Sequence, residues 1–245
     1  MIEIKLQIED IVKDFAGIRA LDNISFEMSK SEILGLIGPN GSGKTTLVNL
    51  IGGALIPTSG NIYYQGERID GLRPYEIAKK GIGRTFQITQ VFRRMTVLEN
   101  LLIPGKATFK LENKDKRSFV TEKALEILSF LEIDRLKNEY ARNLSGGQQK
   151  LLELGRVLML DPNLIALDEP FAGVHPNLRE KLYKYITEIH ENGKSFIIIS
   201  HDMDSIFALS QRIIVLGSGE KIADDMPQIV KEDKNVLEAY LGLAL

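Results

Sequence analysis

The chain has 245 residues, 44% of them apolar, a formal net charge of −2, three histidines and no cysteine. That length can bury a sizeable core, as one large domain or as a core with a smaller lobe. The absence of cysteine excludes disulfides, thiolate metal sites and cysteine nucleophiles; the scattered histidines argue against a zinc site, and the near-neutral charge gives no chain-wide reason to expect nucleic acid.

No apolar run approaches the roughly 18 residues of a membrane span. Met1-Ile2-Glu3-Ile4-Lys5-Leu6-Gln7 alternates like a strand and lacks the apolar core of a signal peptide. The chain is therefore expected to be cytoplasmic and to meet any membrane through a partner. A first strand is predicted over residues 2–12. Phe15 falls in the following loop, ahead of a second strand from Ala20 to Met28.

Ile33-Leu34-Gly35-Leu36-Ile37 is a short apolar run suited to a buried strand. It leads into Gly38-Pro39-Asn40-Gly41-Ser42-Gly43-Lys44-Thr45-Thr46, and then into the helix-like Leu47-Val48-Asn49-Leu50-Ile51. Strand, glycine loop and helix is the setting in which Gly-x-x-x-x-Gly-Lys-Ser/Thr binds phosphate. Backbone N–H groups bared by the glycines and the first helical turn form an anion site, reinforced by the helix dipole. Lys44 is expected to reach the β- and γ-phosphates, and the Thr45 hydroxyl to ligate Mg²⁺. Phe15, just upstream, could stack on a base, although simple packing is the commoner use of a lone phenylalanine.

Pro57-Thr58-Ser59-Gly60 reads as a turn, Asn61 to Glu67 as a strand entering another turn, and Arg73 to Lys80 as a helix. Gly81 to Gln87 is predicted to return as a strand ending at Gln87. Helical spacing then appears over Met95 to Leu102 and Ser118 to Ile133. Residues 106–117 between them carry Lys106, Lys110, Lys114, Lys116 and Arg117 against Glu112 and Asp115. Lacking an aromatic ladder, they read as a solvated loop. This stretch is expected to form a helical lobe inserted in an α/β core.

Asn143-Leu144-Ser145-Gly146-Gly147-Gln148-Gln149 opens a helix marked by Leu151, Leu152, Leu154, Val157 and Leu158. Ser145 can cap it while the two glycines bare its N–H groups, which makes either a second anion site or an ordinary capped helix. Leu164 to Leu167 is a buried strand ending in Asp168-Glu169-Pro170, where one carboxylate can hold Mg²⁺ and the next can polarise an attacking water. Pro176 to Glu191 reads as a helix with proline in its first turn. Ser195 to Ser200 is another buried strand, ending at His201, a candidate donor toward a γ-phosphate. Met203 to Ser210 is helical, Arg212 to Leu216 and Glu220 to Ala223 form a hairpin, and residues 226–241 close in short helices. Strands alternating with helices imply a mainly parallel sheet.

The order of these parts resembles the ATP-binding cassette (ABC) ATPases over almost the whole chain. The resemblance implies one α/β domain of phosphate-loop NTPase type, mainly parallel with an antiparallel N-terminal β region. Its RecA-like core would comprise residues 1–87 and 161–225, its helical lobe about 88–160, and its helical tail 226–245. It also implies roles. Phe15 takes the adenine-stacking position, and Gly38, Pro39, Asn40, Gly41, Ser42, Gly43, Lys44, Thr45 and Thr46 bind the ATP phosphates. Gln87 contacts Mg²⁺ and senses the membrane partner, while Ser145, Gly146, Gly147 and Gln148 close over ATP held by a second subunit. Asp168 organises Mg²⁺, Glu169 is the catalytic glutamate and His201 the switch histidine. One position departs from the common pattern: His175 stands where many members carry an aspartate that helps the two ATP sites communicate.

Within that family, Gly83-Arg84-Thr85-Phe86-Gln87, Phe92, Met95 to Leu102, Ala172-Gly173-Val174 and Leu237 to Gly242 are similar to the ATP-binding subunits of branched-chain amino acid importers. That likeness implies a pair of ATPases, identical or related, on the cytoplasmic face of two transmembrane permease subunits fed by an extracytoplasmic binding protein. Urea or amide transporters and the lipopolysaccharide-export ATPase share the outline. Soluble ABC ATPases of repair or translation are a different class; they usually carry a long coiled coil or two cassettes, and neither pattern occurs here. Val91 to Asn100, with Val91, Phe92, Met95 and Val97, is expected either to form a groove for a permease helix or to pack as lobe core.

Overall fold

The computed structural model describes residues 3–108 and 113–241. Among the described residues, ten strands form two sheets. The first is antiparallel, in the order β2-β1-β4-β5, built from β1 (Ile4–Phe15), β2 (Ile18–Ser29), β4 (Ser59–Tyr64) and β5 (Glu67–Arg68). The second has the order β10-β9-β3-β8-β7-β6. It comprises β3 (Ile33–Ile37), β6 (Ile82–Arg84), β7 (Leu164–Asp168), β8 (Ser195–Ile199), β9 (Arg212–Gly217) and β10 (Glu220–Asp225). All of its pairings are parallel except the β9–β10 hairpin.

The unbroken apolar runs of β3, β7 and β8 follow from burial on both faces. Alternate residues go to opposite sides, as the two-residue period of a strand requires. Ile33, Ile37, Ile165, Leu167, Phe196 and Ile198 enter one core. Leu34, Leu36, Leu164, Ala166, Ile197 and Ile199 enter the other. The second core also holds Leu6, Ile8 and Ile24 of the antiparallel sheet and Leu47, Val48, Leu50 and Ile51 of helix α1 (Lys44–Ile51). The helix that follows the glycine loop is thus clamped between two sheets.

The other core is roofed by helices. They include α3 (Val97–Thr108), α4 (Asn113–Phe130), α5 (Gly146–Leu158) and α6 (Pro176–Glu191). Helices α3 to α5 lie in sequence between β6 and β7. A short α2 (Pro74–Lys79) precedes β6, α7 (Met203–Leu209) precedes β9, and α8 (Pro227–Glu232) and α9 (Lys234–Leu241) follow β10.

Three local expectations are corrected. Phe15 is not in a loop but ends β1, paired with Ile18. Ala16 and Gly17 (φ 43° and 90°) make the two-residue turn whose positive φ values match the strand twist. Gln87 does not end a strand, because β6 stops at Arg84. Residues 106–117 are not one loop, since Lys106 lies in α3 and α4 begins at Asn113; Lys110 and Glu112 lie outside the described residues, as does Gly242 at the C-terminal end.

Candidate nucleotide-binding and catalytic site

Parallel neighbours deliver their carboxyl ends to one edge of the sheet. Gly38 follows β3, Glu169 follows β7 and His201 lies just past β8, with Asp168 paired to Ile199 and Leu36 to the same residue. A cavity of about 270 Å³ opens there, lined by Ala20, Asn40, Gly41, Gly43, Lys44, Thr45, Thr46, Gln87, Asp168, Glu169, Ile199 and His201. Most of the residues expected to act on nucleotide therefore share one space.

The loop's shape depends on glycine at two places. A Cβ on Gly38 (φ 148°) would sit 2.1 Å from the Leu216 carbonyl oxygen and 2.6 Å from Ser42 Oγ. A Cβ on Gly43 (φ 101°) would sit 2.5 Å from Leu21 Cδ2 and 2.7 Å from the Ala20 oxygen. Gly43 is also the N-cap of α1 and supplies no side-chain cap, which leaves the first-turn N–H groups to an anion. Lys44 Nζ donates to the Gly38 and Pro39 carbonyls at 2.8 and 2.9 Å and lies 3.4 Å from Ser42 Oγ. All three ammonium donors are thus engaged within the loop, and a phosphate would take the place of the longest bond, that to Ser42. Burial holds the Lys44 amine below its ordinary range, opposed by Glu169 and Asp168.

Asp168 is 3% exposed, and both its carboxylate oxygens are buried without a hydrogen-bond partner. Its nearest cation is Arg84, with Nη2 4.0 Å from Oδ2. Burial pushes the Asp168 carboxyl upward against the pull of Arg84. A buried carboxylate without a hydrogen-bond partner, sharing a cavity with Thr45 and Gln87, is an oxygen donor set that suits a hard divalent cation carrying phosphate and water. Among the described residues, no cluster of three His, Asp or Glu side chains could hold a metal without such help.

Glu169 takes φ 52°, uncommon for a residue with a side chain. Its N–H donates to the Ile199 carbonyl at 2.9 Å, and its Oε2 accepts the His201 N–H at 3.3 Å. His201 Nε2 lies 3.3 Å from Oε1 without hydrogen-bond alignment. The imidazole is half-exposed, whereas the carboxylate is buried.

Phe15 and the glycine-rich start of α5 lie apart from the cavity lining. Phe15 is exposed at the hairpin tip, with Lys13 Nζ 5.0 Å from its ring centre. Ser145 caps α5: its Oγ accepts the Gln148 N–H at 3.3 Å, and Gln148 Oε1 accepts the Ser145 N–H at 2.9 Å. A Cβ on Gly147 would strike Leu178 Cδ2 at 2.3 Å, whereas one on Gly146 would meet nothing within 4 Å. The helix thus presents Gly146 outward.

Three nearby polar residues escaped the sequence reading. Arg84 bonds Asn49 Oδ1 at 2.7 Å while facing Asp168. Lys150 and Glu153, one turn apart on α5, reach inward: Lys150 Nζ to the Glu169 carbonyl at 2.6 Å, Glu153 Oε1 to the Gln90 N–H at 2.9 Å. Charged residues at i and i+3 among the leucines of α5 were the available signal. Of the residues expected to form a partner groove or pack as lobe core, Val97 is fully buried, Val91 packs against the core and Phe92 is exposed under the Arg156 guanidinium. Asn100 is wholly buried, bonded to the Phe92 backbone. The opening between core and helices, about 260 Å³, is lined instead by Pro74, Ile77, Phe86, Gln90, Pro104 and Arg156, among others.

The profile of the ABC transporter family matches residues 21–172. The chain is 40% identical over 245 aligned residues to the probable branched-chain amino acid transport ATP-binding protein LivG of Archaeoglobus fulgidus, covering 97% of this chain and 95% of that protein. It is 35% identical over 250 residues to the high-affinity branched-chain amino acid transport ATP-binding protein LivG of Escherichia coli K12, covering 98% of each. Among solved structures, the ADP conformation of MJ1267, an ATP-binding cassette of an ABC transporter, superposes with a TM-score of 0.86 at 37% identity, over 98% of this chain and 99% of that one. A dimeric post-hydrolysis state of the cassette MJ0796, bound to ADP and Pi, gives 0.83 at 28% identity, over 91% and 98%. With its phosphate loop, strand-end carboxylates and fold in agreement, the chain belongs to the ABC transporter family, as one of its ATP-binding, ATP-hydrolysing subunits.

Proposed function

We propose that this subunit powers uptake of branched-chain or related amino acids through separate membrane subunits. The observation that carries the cargo class is the 40% identity over 97% of the chain to a relative named for that transport. Among the described residues no helix is long and apolar enough to cross a membrane, so the translocation path belongs to partners. The chain acts as one ATPase unit, a core of 1–87 and 161–225 with the lobe of about 88–160 and the tail of 226–245, on the cytoplasmic face.

The geometry of the cavity supports the following roles. The loop from Gly38 to Thr46 cradles the phosphates with backbone N–H groups, and Lys44 meets them by exchanging its long Ser42 bond for a phosphate oxygen. Thr45, Gln87 and Asp168 would hold Mg²⁺, which when bound offsets phosphate charge. Glu169 orients and polarises the attacking water, a role worth about 10²–10⁴-fold in rate. His201, beside Glu169, donates toward the γ-phosphate, and Phe15 offers its exposed face to adenine. Ser145 to Gln148 of a second subunit, identical or related, complete the site in a head-to-tail pair. Gly146, which faces outward in this chain, is placed for that contact.

The opening between core and lobe receives a short helix from a permease subunit. It adjoins Phe86 and Gln90, which flank Gln87, so an occupant there bears on the loop that reaches the cavity. An extracytoplasmic binding protein supplies the cargo on the far side. Affinity purification from solubilised membranes is expected to recover a hydrophobic permease and an ATPase activity stimulated by it. Stimulation by DNA or ribosomes, with no permease recovered, would overturn the transport reading. Charge reversal at the exposed Arg93 or Arg94 is expected to uncouple transport while leaving the soluble ATPase intact.

A further inference from the structure

We infer that Lys150 is a positioning residue for ATP hydrolysis: from the helix that opens on the outward Gly146, it holds the main chain of the catalytic Glu169. The inference rests on the ATPase role assigned to Glu169 above.

Lys150 Nζ donates to the carbonyl of Glu169 at 2.6 Å and to that of Pro170 at 3.3 Å. These are charge-assisted bonds between α5 and the segment just past β7, and they add a polar tie to two elements that share one apolar core. The peptide they hold is a strained one. Glu169 has φ 52°, and a side-chain-bearing residue persists in that region only when its surroundings over-determine it. The restraints on Glu169 come from three sides. Its N–H is bonded to Ile199 of β8, its carboxylate to the N–H of His201, and its carbonyl to the N–H of Ala172 at 3.3 Å and to Lys150. Only the last comes from α5.

The next turn of α5 makes a parallel grip. Glu153, 4% exposed, accepts the Gln90 N–H three residues beyond Gln87. One face of α5 therefore holds both the segment with the catalytic carboxylate and the loop with the cavity glutamine. Gly146 opens the same helix, about 6 Å along its axis from Lys150. Seating Gly146 against a second subunit's nucleotide moves an element tied to this subunit's own Glu169. Lys150 thus ties the readiness of one ATP site to the occupancy of the other.

The test compares Lys150→Met, which keeps length and loses the donors, with Lys150→Arg, which can reach both carbonyls. Steady-state ATPase kinetics are read beside binding of a fluorescent ATP analogue. Lys150→Met is expected to lower kcat about 10–100-fold, the scale of a small misplacement of a reacting group. KM and analogue affinity are expected to stay within about twofold, because the phosphate loop is untouched; Lys150→Arg recovers most of kcat. Wild-type kcat in the Met variant overturns the inference, and so does equal loss in both variants with lowered unfolding temperature. If Lys150→Met fails to fold, Lys150→Gln, which keeps a donor but not the reach, carries the same expectation and the same refutation. A wild-type protein without ATPase activity overturns the underlying assignment instead, which separates the two failures.

Discussion

Gly146→Ala separates the stability of the chain from the completeness of its ATP site. Gly146 is the first residue of α5, and a Cβ there meets no atom within 4 Å. Alanine therefore adds helix preference without a clash, stabilising the isolated subunit by about 0.5–1 kcal/mol. For a chain of this size that raises the unfolding temperature by about 1–4 °C. In the proposed two-subunit site, the same methyl group would stand where the nucleotide held by the second subunit approaches. Turnover is expected to fall about 10–100-fold, because it displaces a donor surface that has to close tightly on its target. Gly147→Ala is the control. Its Cβ meets Leu178 Cδ2 at 2.3 Å inside the same chain. Overpacking of about 1–3 kcal/mol cancels or exceeds the helix gain, leaving the unfolding temperature level or lower. Thermal unfolding of nucleotide-free protein and ATPase rate, read on the same samples, decide the matter. A Gly146→Ala protein with raised stability and undiminished turnover would refute the claim that this face meets nucleotide.

Further outcomes follow from the same geometry. Glu169→Gln is expected to retain ATP binding, lose about 10²–10⁴-fold in turnover and accumulate as an ATP-dependent dimer in size-exclusion chromatography; full turnover removes Glu169 from its role. Lys44→Ala should abolish ATP binding by calorimetry, and with it ATP-dependent pairing; a variant that still dimerises on ATP contradicts the two-half site. Lys5 gives a pH signature. It is buried, donating to Asn163 and Ser195, and burial beside Lys30 and Lys194 pushes its amine down to about 8 from 10.5. Between those values the unfolded chain still binds the proton that the folded chain has released, so stability rises with pH, by up to about 3 kcal/mol from this residue. Denaturant unfolding from about pH 7 to 10.5 should show that rise in the wild type and less of it in Lys5→Met; equal slopes refute it.

The site was legible where its residues terminate doubly buried strands. Four apolar residues before Asp168, and Phe196 to Ile199 before His201, announce parallel strands, and parallel strands bring their ends together. The phosphate loop was legible because its glycines are demanded by close approach, as the Gly38 and Gly43 contacts show. Phe15 was misplaced because the β1–β2 turn is built on Ala16 at φ 43°, where the usual signal is asparagine or aspartate before glycine. Charge density suggested a loop over 106–117, yet α3 continues through Pro104 to Thr108, and α4 needs only one apolar face, with Val120, Ala124 and Leu128 buried. The grip of Lys150 on Glu169 joins residues 19 apart on elements whose packing no local pattern encodes.

The carbonyls that hold Lys44 also bear on the thermodynamics of fuel loading. A free lysine side chain explores many rotamers, and immobilising it costs about 2 kcal/mol of entropy. Here the Gly38 and Pro39 carbonyls hold that ammonium from within its own loop. The disorder is surrendered when the polypeptide folds, so an ATP that binds meets an ordered cation and loses little of its binding free energy to ordering that side chain. Each catalytic cycle can then load and release nucleotide without repeatedly freezing and freeing this side chain.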